Sequence, residues 1–144
     1  GNHPLLGQAA PDFEFTTLAG QSFDNSSLSG HVVVVDFWAT WCEPCVATMP
    51  SLDGLSRAFA PEGVVFLAMS LDEDARTVER LGWDAESKLE VGLVSDEVVE
   101  AFGVRGIPAT FLLDREGRIA EFHSGYDGQL AEQLSMRILQ LLQD

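Results

Sequence analysis

The segment "VVVVDFWATWCEPCVATMP", residues 32 to 50, contains both cysteines of the 144-residue chain, at positions 42 and 45. Its first part is β-branched on consecutive positions, which predicts a strand that is covered on both faces. From residue 46 onward, apolar residues recur at helical spacing, which predicts a helix over residues 43 to 60. The cysteines therefore lie where a buried strand ends and a helix begins.

The rest of the chain predicts an α/β protein. Residues 1 to 30 form a lead-in with a short hairpin around Ala19-Gly20 and a serine-rich turn. The elements predicted after the cysteine segment are a buried strand at 63–71, a helix at 72–83, a short strand at 90–94, a small helix ending at Gly103, a hairpin whose two apolar arms flank 115–118, and a C-terminal helix capped by Asp127. Strands joined by helices imply a parallel centre and the last hairpin adds antiparallel strands, so we predict a mixed central sheet in a sandwich. No linker divides residues 1–144, which indicates a single domain.

The composition excludes several classes of function. The formal charge is −15, from 23 acidic and 8 basic residues, which excludes a nucleic-acid or anionic-membrane surface built on lysine and arginine. No apolar run approaches the ~18 residues of a membrane span. With 46% hydrophobic residues the chain can build a core without a disulfide as a staple.

The cysteine pair has three candidate roles: a metal clip, a structural crosslink and a reactive dithiol. A closed zinc site needs four ligands, but the three histidines are remote from the cysteines in sequence, at positions 3, 31 and 123. A crosslink between positions 42 and 45 closes a very small loop and contributes little loop entropy. We therefore favour the dithiol and predict no metal.

The position of the pair explains how it would react. At the start of a helix, unpaired N–H groups and the helix dipole stabilise a Cys42 thiolate, and Cys45 lies one turn further in. Pro44 has the backbone angle that a first helical turn requires. Glu43 opposes formation of the thiolate, so we predict that it raises the pKa of Cys42 and makes the pair a reductant.

These residues resemble a known family. "VDFWATWCEPC" is similar to the active-site segment of thioredoxins, while "GQAAPDFEF" and "GVRGIPATFLLDREGRI" resemble the TlpA/ResA branch of extracytoplasmic thioredoxin-like proteins. The resemblance spans nearly the whole chain. It implies a thioredoxin-like three-layer α/β/α sandwich with an N-terminal hairpin extension and a central insertion at residues 72 to 94.

The resemblance also implies roles for individual residues. Cys42 would be the nucleophile and Cys45 the resolving thiol. Pro108 matches the family's cis-proline, which would pack opposite the dithiol, and Ile107 would offer its main chain to an extended substrate. Trp41 would present a flat surface to the partner. The alternative for Pro108 is that it only begins the strand "ATFLL".

Asp36 is a charged residue inside an apolar strand, which is costly unless it is neutral or partnered. It matches the buried acid of thioredoxins, which lies behind the resolving cysteine and accepts its proton. The alternative is an aspartate whose carboxylate is occupied by a structural hydrogen bond. Thioredoxins pair this acid with a lysine in the next strand, whereas "VVFLAMSL" contains no basic residue.

Together these features predict a thiol–disulfide oxidoreductase that needs no cofactor besides its own Cys42–Cys45 disulfide. We expect it to reduce extracytoplasmic proteins, in cytochrome c maturation or general thiol–disulfide interchange, as a monomer that a membrane-bound donor re-reduces. The expected location is the bacterial periplasm or a membrane anchor facing it, with the signal or anchor absent from this sequence.

Two alternative functions use the same fold. A peroxiredoxin-like peroxidase would need a proline and a hydroxyl residue where Val35 and Ala39 stand before Cys42. A copper-delivery protein for oxidase assembly would need a soft third ligand, for which His123 is the candidate, since Met49 and Met69 lie in apolar patterns.

Overall fold

A computed structural model describes all residues from 1 to 144. The elements, in chain order, are β1 (Glu14–Thr16), β2 (Ser22–Asp24), α1 (Asn25–Leu28), β3 (Val33–Trp38), α2 (Glu43–Phe59), β4 (Val65–Ser70), α3 (Ala75–Glu79), β5 (Leu89–Leu93), α4 (Asp96–Ala101), β6 (Ala109–Leu113), β7 (Ile119–Ser124) and α5 (Leu130–Gln143). A turn of 3-10 helix follows α2 at Ala60–Glu62. None of the helices is both long enough and apolar enough to cross a membrane.

The centre of the fold is a five-stranded mixed sheet in the order β5-β4-β3-β6-β7. Strands β3, β4 and β5 are parallel, whereas β6 and β7 run antiparallel to their neighbours. Strands β1 and β2 pair in a separate antiparallel hairpin. The predicted mixed sheet and the predicted N-terminal hairpin are both confirmed.

Each face of the sheet carries its own apolar core. One core joins α2 and α5 to alternate residues of β3, and the other joins α4 and the N-terminal hairpin to the residues between them. Every residue of β3 is buried, because helices or the hairpin cover both of its faces. The predicted strand with two covered faces is therefore confirmed. The layers form an α/β/α sandwich.

The N-terminal lead-in contacts both edges of the sheet. At the β7 edge, Gly7 N–H donates to the Ile119 carbonyl at 2.8 Å, and Ile119 N–H donates to the Gln8 carbonyl at 2.9 Å. At the β5 edge, Leu18 N–H donates to the Val91 carbonyl at 2.8 Å. Gly92 of β5 lies so close to the hairpin that a Cβ there would stand 2.5 Å from the Thr16 carbonyl oxygen.

The helix predicted over residues 72 to 83 is wrong in length, because α3 spans only Ala75–Glu79. Asp74 caps the helix by accepting the Arg76 N–H, so the residues before it lie outside. Gly82 has a positive φ of 73°, which ends the helical path on the other side. An acidic run is typical of a first helical turn, but short acidic side chains also bind nearby backbone donors in turns.

Two other boundaries differ from the prediction. The first part of the serine-rich stretch after β2 forms the single-turn helix α1, capped by Asp24, and the predicted turn is found only at Ser29 and Gly30. Asp127 does not cap the last helix, because its Oδ1 accepts the Gln129 N–H at 2.8 Å and α5 begins at Leu130. The side chain therefore closes a turn before the helix.

Candidate active site: a disulfide at the start of a helix

Cys42 and Cys45 form a disulfide at the point where α2 begins. Cys42 is the N-cap residue of α2, and its Sγ accepts the Cys45 N–H at 3.3 Å. Cys42 keeps 7% of its surface exposed, whereas Cys45 is fully buried. One sulfur is thus closer to solvent and lies at the positive end of the helix dipole, and the other lies behind it.

A loop from the far side of the sequence completes the surroundings of Cys42. Its Sγ lies 3.8 Å from the carbonyl oxygen of Ile107, which is 65 residues away in the chain. The Ile107–Pro108 peptide bond is cis. Pro108 is buried and Ile107 is partly buried, directly before β6. The antiparallel pairing of β6 with β3 brings this loop to the start of α2.

The residues beside the cysteines are exposed. Trp41 has 68% of its surface exposed, the largest exposure of any large apolar residue described. Glu43 and Pro44 are exposed in the first turn of α2. Trp38, in contrast, is fully buried, and its ring packs edge-on against Trp83 with centroids 5.6 Å apart. The site therefore presents one aromatic ring and one carboxylate to solvent.

Asp36 lies on the sheet face that carries the cysteines. Alternate residues of a strand share a face, and Val34 and Trp38, on either side of Asp36, belong to the same core cluster as Cys45. Asp36 is 2% exposed. No basic residue opposes it, since its partner in β4 is Ala68 and its partner in β6 is Thr110.

The surroundings of Asp36 favour its neutral form. Burial raises the pKa of its carboxyl to about 7, and the Thr110 hydroxyl, which donates to Oδ1 at 2.8 Å, opposes that rise. The other oxygen, Oδ2, is buried without a hydrogen-bond partner. The acid is therefore able to change protonation state near neutral pH.

Asp72, which the sequence analysis did not single out, is also close to the site. Its carboxylate accepts hydrogen bonds from the backbone N–H and the hydroxyl of Thr40, two residues before Cys42, and from the Ser70 hydroxyl. Asp72 is 7% exposed. Burial opposes its ionisation, but the bonds from Ser70 and Thr40 outweigh burial and hold the pKa of Asp72 below its ordinary value.

The residues considered for copper binding are not brought together. His123 lies on β7 and its Nε2 contacts Glu121 Oε1 at 2.8 Å. Met49 packs in the core that contains the cysteines, whereas Met69 packs in the core on the opposite face of the sheet. The sulfur atoms of the two methionines therefore lie on opposite sides of the sheet.

A mixed sheet with a Cys-x-x-Cys disulfide at the start of the helix after its central strand defines the class, which is that of the thioredoxin-like proteins. The model of the AhpC/TSA family matches residues 6–122. Thiol-disulfide oxidoreductase ResA of Bacillus thuringiensis subsp. konkukian is 31% identical over 130 residues, covering 90% of this chain and 74% of the relative. ResA of Geobacillus kaustophilus is 32% identical over 121 residues, covering 83% of this chain and 70% of the relative.

A solved structure gives the same result. A protein of Chlorobium tepidum, proposed to be the thiol:disulfide interchange protein DsbE, superimposes with a TM-score of 0.83 at 29% identity, covering 95% of this chain and 97% of the other. The chain therefore belongs to the AhpC/TSA family and, within it, to the ResA-type thiol–disulfide oxidoreductases. The predicted family resemblance and the predicted dithiol activity are confirmed.

Proposed function

We propose that this protein reduces disulfides of extracytoplasmic proteins, with Cys42 as the nucleophile and Cys45 as the resolving thiol. The observation that carries the proposal is the position of the Cys42 sulfur, which caps the start of α2. It accepts an N–H bond at the helix start, keeps partial exposure and lies beside the Ile107 carbonyl, whereas Cys45 is fully buried. A thiolate at this position is stabilised and accessible, which is what the attacking thiol requires.

The reaction transfers two electrons in two exchanges. The Cys42 thiolate attacks one sulfur of the substrate disulfide, forms a mixed disulfide and releases the other substrate sulfur as a thiolate. Cys45 then loses its proton and attacks Cys42 Sγ, which releases the second substrate sulfur. The substrate gains two thiols once both sulfurs are protonated, and the Cys42–Cys45 disulfide forms.

Asp36 is the proposed acceptor of the Cys45 proton. It faces the core that contains Cys45, and a group with a pKa of about 7 exchanges protons efficiently near neutral pH. The Thr110 hydroxyl occupies Oδ1, which leaves Oδ2 as the atom free to take the proton. This arrangement uses a hydroxyl in β6 where thioredoxins use a lysine in the next strand.

The substrate surface is proposed to consist of Trp41, Ile107 and Pro108. An extended substrate segment would pair with the main chain of Ile107, next to Cys42, as a strand adds to an open edge. Trp41, directly before Cys42, offers a large exposed ring. We propose no surface for nucleic acid, since the charge of −15 repels phosphates.

The direction and the place of the reaction are proposed from charge and cysteine content. The exposed Glu43 carboxylate disfavours the Cys42 thiolate, which favours a reducing couple. Both cysteines belong to the motif, so none is left to mispair in an oxidising compartment. We therefore propose an extracytoplasmic monomer that a membrane-bound donor re-reduces, and cytochrome c maturation or general thiol–disulfide interchange as the setting.

The test combines two cysteine variants with a measurement of the midpoint potential of the Cys42–Cys45 couple. Cys42→Ser is expected to abolish reduction of a model disulfide protein such as insulin, whereas Cys45→Ser is expected to accumulate the mixed disulfide with the substrate. Undiminished turnover by Cys42→Ser would refute the assignment. For the direction, we expect a midpoint potential near the roughly −270 mV of thioredoxin, and a value near the roughly −120 mV of DsbA would reverse it.

A further inference from the structure

We propose that Asp72 is a positioning residue for Cys42, which fixes the loop between β3 and α2 through Thr40 and places a negative charge next to that loop. This inference deepens the proposed function and rests on Cys42 being the nucleophile.

The contacts of Asp72 are short and engage both oxygens of its carboxylate. Oδ2 accepts the Thr40 N–H at 2.9 Å and the Ser70 hydroxyl at 2.6 Å, and Oδ1 accepts the Thr40 hydroxyl at 2.6 Å. The Asp72 N–H donates to the Ser70 hydroxyl oxygen at 2.9 Å. Hydrogen bonds to a charged group are stronger than bonds between neutral groups, so this cluster is a strong local restraint.

Asp72 serves the active-site loop and not its own helix. The α3 helix is capped by Asp74, two residues later. Between β3 and β4, the last main-chain hydrogen bond is donated by Leu71 N–H to the Trp38 carbonyl at 2.8 Å. Immediately beyond that bond, the Asp72 carboxylate takes over as the acceptor for Thr40. The pairing of the two strands is thereby prolonged by a side chain into the loop that ends at Cys42.

Asp72 affects the dithiol through its negative charge as well as by holding the loop in place. Bonds from Ser70 and Thr40 stabilise the ionised form against burial, so the pKa of Asp72 lies below its ordinary value and the group is charged at neutral pH. A mostly buried charge is screened less by salt than the exposed Glu43 carboxylate. It therefore opposes a thiolate at Cys42 and favours the reducing direction.

Other charged groups lie on the elements that neighbour Cys42, and their effects must be separated from that of Asp72 by experiment. The titratable or charged groups on the neighbouring elements are Asp36 on β3, Glu43 on α2, Glu73 and Asp74 after β4, Arg105 before Ile107, and Glu121 and His123 on β7. Asp74 offers the matched control, because it follows Asp72 by two residues and carries the same charge on an exposed side chain.

The experiment compares Asp72→Asn, Asp74→Asn and Thr40→Val, each as the whole chain. The pKa of Cys42 is measured from thiolate absorbance in the reduced protein, together with the midpoint potential and amide exchange at Thr40. Asp72→Asn keeps an oxygen acceptor but removes the charge. We expect it to lower the pKa of Cys42 by about half a unit or more and to make the potential less negative.

The other variants separate position from charge. Asp74→Asn is expected to leave the pKa of Cys42 and the potential unchanged. Thr40→Val keeps the charge of Asp72 but loses the hydroxyl bond, so we expect several-fold faster amide exchange at Thr40 and lower turnover, without a fall in the pKa of Cys42. Thr40→Ser is expected to restore both properties.

Two results would overturn the inference. Equal pKa values for Cys42 in Asp72→Asn and Asp74→Asn would remove the charge effect. If Asp72→Asn does not fold, equal exchange and equal turnover in Thr40→Val and Thr40→Ser would remove the positioning role. Failure of the proposed function is a different outcome, namely turnover by Cys42→Ser.

Discussion

Asp36 in β3 and Asp72 just after β4 are both buried carboxylates, but they have different numbers of hydrogen-bond donors. Asp36 has one donor, the Thr110 hydroxyl, and an oxygen without a partner. Asp72 receives two bonds from Thr40 and one from Ser70. The pKa of Asp36 is raised to about 7 while that of Asp72 is lowered. The depth of burial and the donors that accompany it therefore set the charge of an acid together.

Under the proposed function, this difference suits the two residues to two different tasks. A proton acceptor must exist in both protonation states at the working pH, which Asp36 does. A residue that holds a loop must keep its charge, which Asp72 does. The following predictions test that comparison.

The largest effect is expected from Asp36→Asn on the resolving step. Loss of a positioned proton acceptor costs typically 10²–10⁴-fold, so release of the substrate from the mixed disulfide is expected to slow by about 10²-fold or more. Rapid-quench measurement of that release across pH gives the profile. The wild-type rate is expected to rise through about pH 7, where Asp36 titrates, and the variant is expected to lose that inflection.

Asp74→Asn is the control for this measurement, because its side chain is exposed and caps a short helix. An unchanged inflection in Asp36→Asn would show that another group takes the proton.

A second effect concerns stability against pH in the oxidised protein. The folded pKa of Asp36 lies above its ordinary value of 3.8, so the folded state binds more protons than the unfolded state between about pH 4 and pH 7. The free energy of unfolding therefore falls as pH rises through that window. Asp36→Asn is expected to remove this fall and to gain a few kcal/mol at pH 7 relative to the wild type.

The contribution of Asp72 to the pH dependence of the free energy of unfolding has the opposite sign. Its folded pKa lies below the ordinary value, so its contribution is present above about pH 4 and is lost as pH falls through the lowered folded pKa. Urea unfolding of Asp36→Asn is thus expected to differ from the wild type by an amount that changes between about pH 4 and pH 7, whereas the difference for Asp72→Asn is expected to be constant there and to change with the opposite slope below about pH 4. Slopes of the same sign would contradict the comparison.

The smallest effect is expected from Thr110→Val. The variant removes the donor to Asp36 Oδ1 while keeping the shape of the side chain, so the pKa of Asp36 is expected to rise by about one unit. Carbon NMR titration of the Asp36 carboxyl measures the shift. Thr110→Ser keeps the hydroxyl and is expected to restore the wild-type value, whereas a fall in Thr110→Val would be inconsistent with a donated bond.

The sequence was sufficient for the centre of this site and insufficient for its periphery. Consecutive β-branched residues and the position of Cys42 predicted β3, the start of α2 and the burial of Asp36, because these depend on neighbours in the chain. The contacts that set the charges join residues far apart. Thr110 meets Asp36 across 74 residues, and Thr40 meets Asp72 across 32.

Asp72 was missed for a specific physical reason. An acidic run before helix-forming residues suits the first turn of a helix, and only the parallel register of β3 with β4 shows that the first acid of the run points to Thr40 instead. The same ambiguity explains Asp127, whose side chain closes a turn before α5 and does not cap it. Short polar side chains bind whichever backbone donor is near, and the pattern alone does not identify it.

The lead-in that contacts β5 and β7 has a consequence for behaviour in a crowded compartment. Unpaired edge strands can form hydrogen bonds with another molecule and so begin aggregation. Here the N-terminal lead-in forms hydrogen bonds with part of both edge strands, through Gly7 and Gln8 at β7 and through Leu18 at β5. Protection against aggregation is therefore expected from a segment that contains neither cysteine.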